Sequence, residues 1–350
     1  RAVPALPVAG SFRSIDFALS SMSNSHIQTV AVLTQYNARS LNEHLSSSKW
    51  WNFGRKQGGL FLFTPTVTAD NSDWYRGTAD AMYQNIDFLK RRHEPYVIIS
   101  SGDCVYKLDF NRVLDFHIEK KSDITVVCKD MMYNDDVSRF GVVRMDDESR
   151  ITEFDEKPIE ALSNTISTGI YVIRRRQLIE LLEAAAEENR FDFVNDILVR
   201  YKNVKKIYGY KINSYWNNIA DIDAYFKTNM DFLRPDVRSY FFREEPTICS
   251  KVDDLPPAKF NPGSDISNSL VSSGCIINGS VEDSVLFKQV FVGKNTTVKN
   301  CVILNDVYIG DNVHLENCIV ESRGTINPNT CYCGEDGVMI VKEKNVRYVI

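Results

Sequence analysis

The chain has 350 residues, of which 43% are hydrophobic and 25% charged, and its formal net charge is −5. That length exceeds one ordinary core, so two domains are expected, and a mildly acidic balance leaves no electrostatic footprint for nucleic acid or an anionic membrane. No run of 18 apolar residues and no leader pattern occurs, although the chain opens on Arg1 rather than Met, and eight scattered cysteines read as free thiols of a cytoplasmic protein.

Residues 29–33 form a short apolar run that reads as a buried strand. The spacing of Met82, Ile86 and Leu89 predicts a helix over 78–92. Strands are predicted at 96–100, 124–128 and 170–173, with helices at 111–121 and 174–188. Strands separated by helices point to an open, mostly parallel, Rossmann-like α/β sheet, which binds ligands beyond the carboxyl ends of its strands. This first domain spans 1–233. Residues 234–262 carry Pro235, Pro246, Pro256 and Pro257 and read as a linker.

From 263 to 350 the helical pattern stops and a 17-residue repeat appears. Val281, Val298 and Leu315 keep that spacing, as do Val285, Val302 and Ile319, and Leu286, Ile303 and Val320. Ser284, Cys301 and Cys318 hold the matching small position, and Gly293 and Gly310 recur at the same interval. Stacked units of this kind bury a continuous apolar column, as in a hexapeptide β-helix. An antiparallel sheet with regular turns is the alternative, but three columns sharing one register favour the coil. The repeat is expected to end near Val320. Cys331 and Cys333 are too close for a zinc C-x-x-C, and no His cluster stands beside them in sequence.

Four segments could carry chemistry. In 100–107 a strand ends in Gly102 and Asp103, placing a carboxylate where Mg²⁺ of a nucleotide could sit; a structural turn is the plain alternative. In 74–87, Gly77 and Thr78 open a helix whose free N–H groups suit anionic ligand atoms, or Thr78 merely caps it. In 153–158, Lys157 could meet a sugar phosphate or lie solvated at the surface. In 214–226, Trp216 could wall a sugar pocket or fill the core.

Taken in order, RAVPALPVAGSFRSIDFALSSMSNSHI, WYRGTADA, SGDCVYK, FGVV, EFDEKP, STGIYV, YWNNIAD, PPAKF and SLVSSGCIINGSV closely resemble the bacterial ADP-glucose pyrophosphorylase (glucose-1-phosphate adenylyltransferase) family, nearly from end to end. The resemblance implies a nucleotidyltransferase α/β domain followed by a left-handed parallel β-helix, and synthesis of ADP-glucose from ATP and glucose 1-phosphate for glycogen. Carried onto matching positions, it implies that Asp103 is the metal-binding carboxylate. It likewise assigns Glu156, Lys157, Ser167, Asp192, Phe193 and Trp216 to the sugar phosphate, and Gly77, Thr78 and Gly102 to the nucleotide pocket. The family's glycine-rich phosphate loop falls upstream of Arg1.

The departures fall on the phosphate side. The family's R-A-K-P reads Arg1-Ala2-Val3-Pro4, so Val3 replaces a lysine. Its Y-W-R-D-V-G-T reads Tyr215-Trp216-Asn217-Asn218-Ile219-Ala220-Asp221, so Asn218 replaces a second metal carboxylate, and Asp221 sits one helical turn too far on. G-G-K becomes Ala9-Gly10-Ser11, D-F-G-K-D becomes Asp192-Phe193-Val194-Asn195-Asp196, and the Gln pair falls near Thr66-Val67. The sequence therefore most resembles the GlgD-type non-catalytic class, a regulatory subunit that partners a catalytic GlgC-type subunit in a hetero-tetramer, with self-association as the alternative. On that reading Mg²⁺ belongs to the catalytic partner. A catalytically active adenylyltransferase is the competing reading. A β-helix acyltransferase is disfavoured, because the repeat's single histidine, His314, falls in a strand pattern.

Overall fold

The computed structural model describes residues 2–54, 58–66, 74–132 and 135–343. The chain forms two compact units: one comprises Ser21–Ser101 and Leu108–Tyr215, the other Arg1–Ser20, Gly102–Lys107 and Trp216–Ile350. Each is described by itself. Among the described residues no helix is long and apolar enough to cross a membrane.

In the first unit the strands expected at 29–33 and 96–100 form with those bounds. The 124–128 strand extends to Ile124–Asp130 and the 170–173 strand to Thr165–Arg174. A six-stranded sheet is built around Thr165–Arg174, which pairs antiparallel with Ile124–Asp130, with Tyr96–Ser100 and, at Ile166, with Gly141–Met145. Gly141–Met145 also pairs antiparallel with Ile151–Glu156, and Ile207–Lys211 lies parallel to Ile124–Asp130. The expectation of a mostly parallel sheet is thus corrected to a mixed one. Between Gly141 and Arg174 three strands follow one another without a helix. Short connections join antiparallel neighbours, whereas parallel neighbours need a crossover of a dozen or more residues. A separate parallel pair joins Thr29–Leu33 to Gly59–Phe63.

The helix expected over 78–92 is two helices, Thr78–Gln84 and Ile86–Lys90. Asn85 breaks it: its Nδ2 donates to the Ala81 carbonyl at 2.8 Å and to the Tyr75 hydroxyl at 3.0 Å, the local competition with helical bonding typical of Asn. Met82, Ile86 and Leu89 still pack onto the core, because the apolar stripe survives the break. Phe110–Glu119 begins at Asp109, whose side chain accepts from Asn111 N. Arg175–Glu187 buries Leu178, Leu181, Leu182 and Ala185.

His117, on Phe110–Glu119, is 1% exposed. Its Nδ1 meets Thr125 Oγ1 at 2.9 Å, its ring sits edge-on to Tyr96, and its Nε2 has no hydrogen-bond partner among the described residues. Burial, assisted by Arg174 and opposed by Asp123, lowers its pKa to about 4. The folded imidazole therefore stays neutral while the unfolded one takes up a proton near its ordinary 6.5. The stability this supplies is complete above that pH and is lost as pH falls towards 4, by about 3 kcal/mol at about 1.4 kcal/mol per pKa unit. Urea unfolding of His117→Gln should show a correspondingly shallower decline between pH 7 and 4.5. An unchanged decline would remove His117 from the account.

In the second unit residues 259–341 wind into a parallel β-solenoid of five coils, with three five-stranded parallel sheets along its sides. The 17-residue columns pair as expected, Val281↔Val298↔Leu315 and Leu286↔Ile303↔Val320 running through the core. Val285, Val302 and Ile319 precede the latter column by one residue and so occupy the opposite strand face; they are buried without joining that core cluster. Ser284, Cys301 and Cys318 are fully buried, as a ladder of small side chains requires. Asn295, Asn312 and Asn329, all with left-handed φ, stack at one corner, each Nδ2 donating to the next Oδ1 at 3.3 and 3.0 Å. The stack does not end at Val320. Thr325–Ile326, Cys331–Cys333 and Met339–Val341 complete a further coil. The sequence repeat fades there because Val320 pairs with Val341, a step of 21 residues rather than 17.

The proline-rich linker segment carries a helix, Pro235–Phe242, with Pro235 in the first turn, where a missing N–H costs nothing. Lys107 Nζ donates to the carbonyls of Tyr240 and, at 3.0 Å, Glu244, which fixes this helix to its unit. The turn at Ala9–Gly10 packs on the first coil: a Cβ at Gly10, φ +79°, would lie 2.3 Å from Leu270 Cδ2 and 2.5 Å from Ser272 Oγ.

Candidate functional site

The positions matched to metal and phosphate chemistry assemble within the second unit. Cys104–Tyr106 pairs antiparallel with Trp216–Asn218, so Asn218 stands opposite Cys104, and the Ile219 N–H donates to the Asp103 carbonyl at 3.0 Å. Asp103 and Asn218 are therefore neighbours, as a two-acid metal site would require. The 3₁₀ turn Val3–Ala5 lies against the same place: a Cβ on Gly102 would sit 3.2 Å from the Pro4 side chain, and Ser14 Oγ holds the Gly102 carbonyl at 2.9 Å. The segments that carry the two substituted positions, Val3 and Asn218, thus both lie against Gly102–Cys104.

The side chains there are linked to one another. Asn218 Nδ2 donates to Cys104 Sγ at 3.5 Å, the Cys104 thiol donates to Asp103 Oδ1 at 3.3 Å, and Asn218 Oδ1 accepts from Ala220 N at 2.9 Å. Burial pushes the Cys104 thiol well above its ordinary pKa, Asp103 adding to the effect, so it stays protonated. Asp221 cannot stand in for the absent acid: it is the N-cap of Ile222–Asp231 and accepts from Ala224 N at 2.7 Å. Mg²⁺ takes hard oxygens, usually from one or two carboxylates plus phosphates. One carboxylate beside an amide and a protonated thiol does not fit a two-acid Mg²⁺ site. Trp216 is 3% exposed on its strand, which favours its reading as a core residue.

The positions matched to the sugar phosphate, apart from Trp216, form a second cluster, in the first unit. Glu156 ends the Ile151–Glu156 strand, and Lys157 follows with φ +50°, its Nζ 3.8 Å from Glu156 Oε1. Burial raises the Glu156 pKa; Lys157 opposes the shift and Asp192 adds to it. Ser167 Oγ meets the Tyr171 hydroxyl at 3.3 Å, and the Tyr171 ring packs on Phe193 at 5.3 Å. Sequence reasoning missed Tyr171. It is brought beside Ser167 by a register shift between the two in the Thr165–Arg174 strand, where Gly169 takes φ +74°. A glycine inside a strand pattern was the available signal. Phe193 is 2% exposed and belongs to the core, so its side chain supports the cluster from below.

Gly77 and Thr78 join this second cluster by another route than expected. Two first-turn donors of the Thr78–Gln84 helix are occupied: Ala79 N and Asp80 N both donate to the Phe191 carbonyl, at 2.8 and 3.2 Å. Thr78 Oγ1 accepts from Phe193 N at 3.0 Å. The helix start is thus pinned to the loop bearing Asp192 and Phe193. Asp196 closes that loop by accepting from Phe191 N and Asp192 N at 3.0 and 2.9 Å. Buried Asp80 pairs with Arg76 at 2.9 Å; burial works against its charge, but hydrogen bonds from Arg76 and Gln84 outweigh it and hold its pKa below the ordinary value. Of the pair matched to the family's adenine-side amides, Val67 lies outside the described residues.

A family model described as nucleotidyl transferase matches residues 1–234, and one described as GlmU-like, C-terminal hexapeptide matches residues 256–341. The glucose-1-phosphate adenylyltransferase of Clostridium novyi (strain NT) is 38% identical over 300 residues, covering 85% of this chain and 78% of that protein. That of Clostridium acetobutylicum is 39% identical, with 85% and 79% covered, and that of Bacillus subtilis (strain 168) 37% identical, with the same two shares.

Proposed function

The chain belongs to the glucose-1-phosphate adenylyltransferase family of nucleotidyl transferases, and from that premise we propose that it is a regulatory subunit that activates a catalytic homologue by assembling with it. The observation that carries the reading is Asn218. It occupies the place beside Asp103 where a second carboxylate would complete a metal site, its amide is held by Cys104 and Ala220, and the nearest acid in sequence is spent on a helix cap. Val3, an uncharged residue where the family resemblance calls for lysine, points the same way. Nucleotidyl transfer depends on positioning and on neutralising phosphate charge, and each missing charged contact is worth several kcal/mol.

The sugar-side cluster keeps Glu156, Lys157, Ser167 and Asp192, so it supports retention of ligand binding as a regulatory input. Assembly is supported by the outer face of one solenoid sheet, where Ile276, Phe291 and Tyr308 form one column. Ile276 and Tyr308 are each 38% exposed, and the Phe291 and Tyr308 rings stack at 4.7 Å.

The test is pyrophosphate release from ATP and glucose 1-phosphate with Mg²⁺. The full-length chain alone should show next to none, and adding it to a catalytic homologue should raise that enzyme's activity by roughly 5–150-fold, the range of ordinary allosteric coupling. Lys157→Ala should weaken the activation while leaving co-elution intact. Turnover by the chain alone near a typical enzyme's ~10 s⁻¹ would overturn the proposal.

A further inference from the structure

The solenoid assembles a group of metal-ligating side chains far apart in sequence. His314–Glu316 and Cys331–Cys333 are adjacent parallel strands in register, His314 opposite Cys331 and Glu316 opposite Cys333. Residues two apart on a strand share a face, so the four side chains occupy the corners of one rectangle on the outer side of the sheet. His314, Glu316 and Cys333 bring ligand atoms within 4.8 Å of one another. His314 Nε2 lies 3.6 Å from Glu316 Oε2, and Cys331 Sγ lies 3.6 Å from Cys333 Sγ. The sequence offered no histidine near the two cysteines; the coil supplies one 17 residues before Cys331.

We propose that His314, Glu316, Cys331 and Cys333 form a zinc site that fastens the coil bearing Cys331–Cys333 to the coil before it. Zinc bonds of about 2.3 Å to sulfur, held tetrahedrally, put two sulfurs about 3.8 Å apart, close to the spacing already present. Two sulfurs, one imidazole and one carboxylate are a four-ligand set that closes the coordination sphere, as structural zinc sites do, and thiolates select zinc over Mg²⁺. The placing of the thiols supports the reading. Cysteine is among the most buried residue types, and Cys275, Cys301 and Cys318 of the same solenoid are fully buried, yet Cys331 is exposed and Cys333 half-buried. The nearest cation on the adjacent strand does not occupy the site: Lys299 Nζ turns the other way, to Glu282 at 3.7 Å.

The experiment uses the full chain, reduced with a phosphine that leaves zinc free, and titrates Zn²⁺ against a chromophoric chelator. One equivalent should bind, and Co²⁺ in its place should give thiolate-to-metal charge-transfer absorption with tetrahedral visible bands. Cys331→Ser with Cys333→Ser should abolish the Co²⁺ thiolate signal. It should also weaken zinc binding by more than the about 10–100-fold that follows loss of an outer-shell partner. His314→Ala, which leaves both thiols in place, should weaken binding as well. A chelator should lower the wild-type melting temperature and leave that of the double serine variant unmoved. Zinc bound equally well by the double serine variant, for instance through exposed Cys249, would overturn the proposal. So would failure of the reduced wild-type chain to take up zinc, including the case where it is isolated with a Cys331–Cys333 disulfide.

Discussion

Asn218→Asp combined with Val3→Lys is expected to raise ADP-glucose synthesis by the full-length chain by about two to four decades. The carboxylate would return to a strand position already beside Asp103, and the lysine to the turn that packs on Gly102. Each restored charge contributes several kcal/mol to a transition state rich in phosphate charge, at 1.36 kcal/mol per decade, and two contributions that share one site need not add. The substitution is compatible with the local structure, because an aspartate can still accept from Ala220 N. It would lose the bond to Cys104 Sγ and set two carboxylates side by side, which repel without a cation. The variant should therefore be less stable than the parent in the absence of Mg²⁺ and regain stability as Mg²⁺ is added. Pyrophosphate release measured for the parent, each single variant and the pair is the check. A double variant within threefold of the parent would mean that these two positions do not limit the activity of the chain.

Gly77→Ala is expected to cost about 3–5 kcal/mol of stability and to disorder the sugar-side cluster with it. Its φ is ordinary extended backbone, so the demand for glycine is one of space. An alanine Cβ would lie 2.3 Å from the Phe191 carbonyl oxygen and 2.8 Å from its carbon. Both are backbone atoms, and that oxygen accepts from Ala79 N and Asp80 N in the first turn of the helix. Relief means moving the loop that carries Asp192, which sacrifices hydrogen bonds worth about 1 kcal/mol each besides the about 1–3 kcal/mol of overpacking. Gly102→Ala is the contrast: its Cβ would meet side-chain atoms alone, Pro4 at 3.2 Å and Ile15 at 3.9 Å, and should cost under about 1 kcal/mol. Urea midpoints for the two variants should separate clearly. Equal midpoints would show that the approach to Phe191 relaxes at little cost.

Much of this protein is written in local pattern. The columns through Val281, Val298 and Leu315 and through Leu286, Ile303 and Val320 pair as their spacing predicts, because a coil that repeats in sequence must repeat in space to bury its apolar face. The same holds for the strands at 29–33 and 96–100 and for the helix stripe of Leu178, Leu181 and Leu182. The substitutions Val3 and Asn218 are likewise visible without coordinates. Tertiary structure alone decided who meets whom. It paired Thr165–Arg174 antiparallel with three neighbours, set Tyr171 beside Ser167, and turned the Phe191 carbonyl onto the helix after Gly77. It also continued the solenoid to Val341 after the repeat had faded, and stood His314 next to Cys331. Periodicity reports the face a residue turns to the core, which is a property of its own element. The partner across that face is chosen by chain closure, by backbone hydrogen bonds that any sequence can make, and by packing between segments far apart in the chain, none of which leaves a mark at a single position.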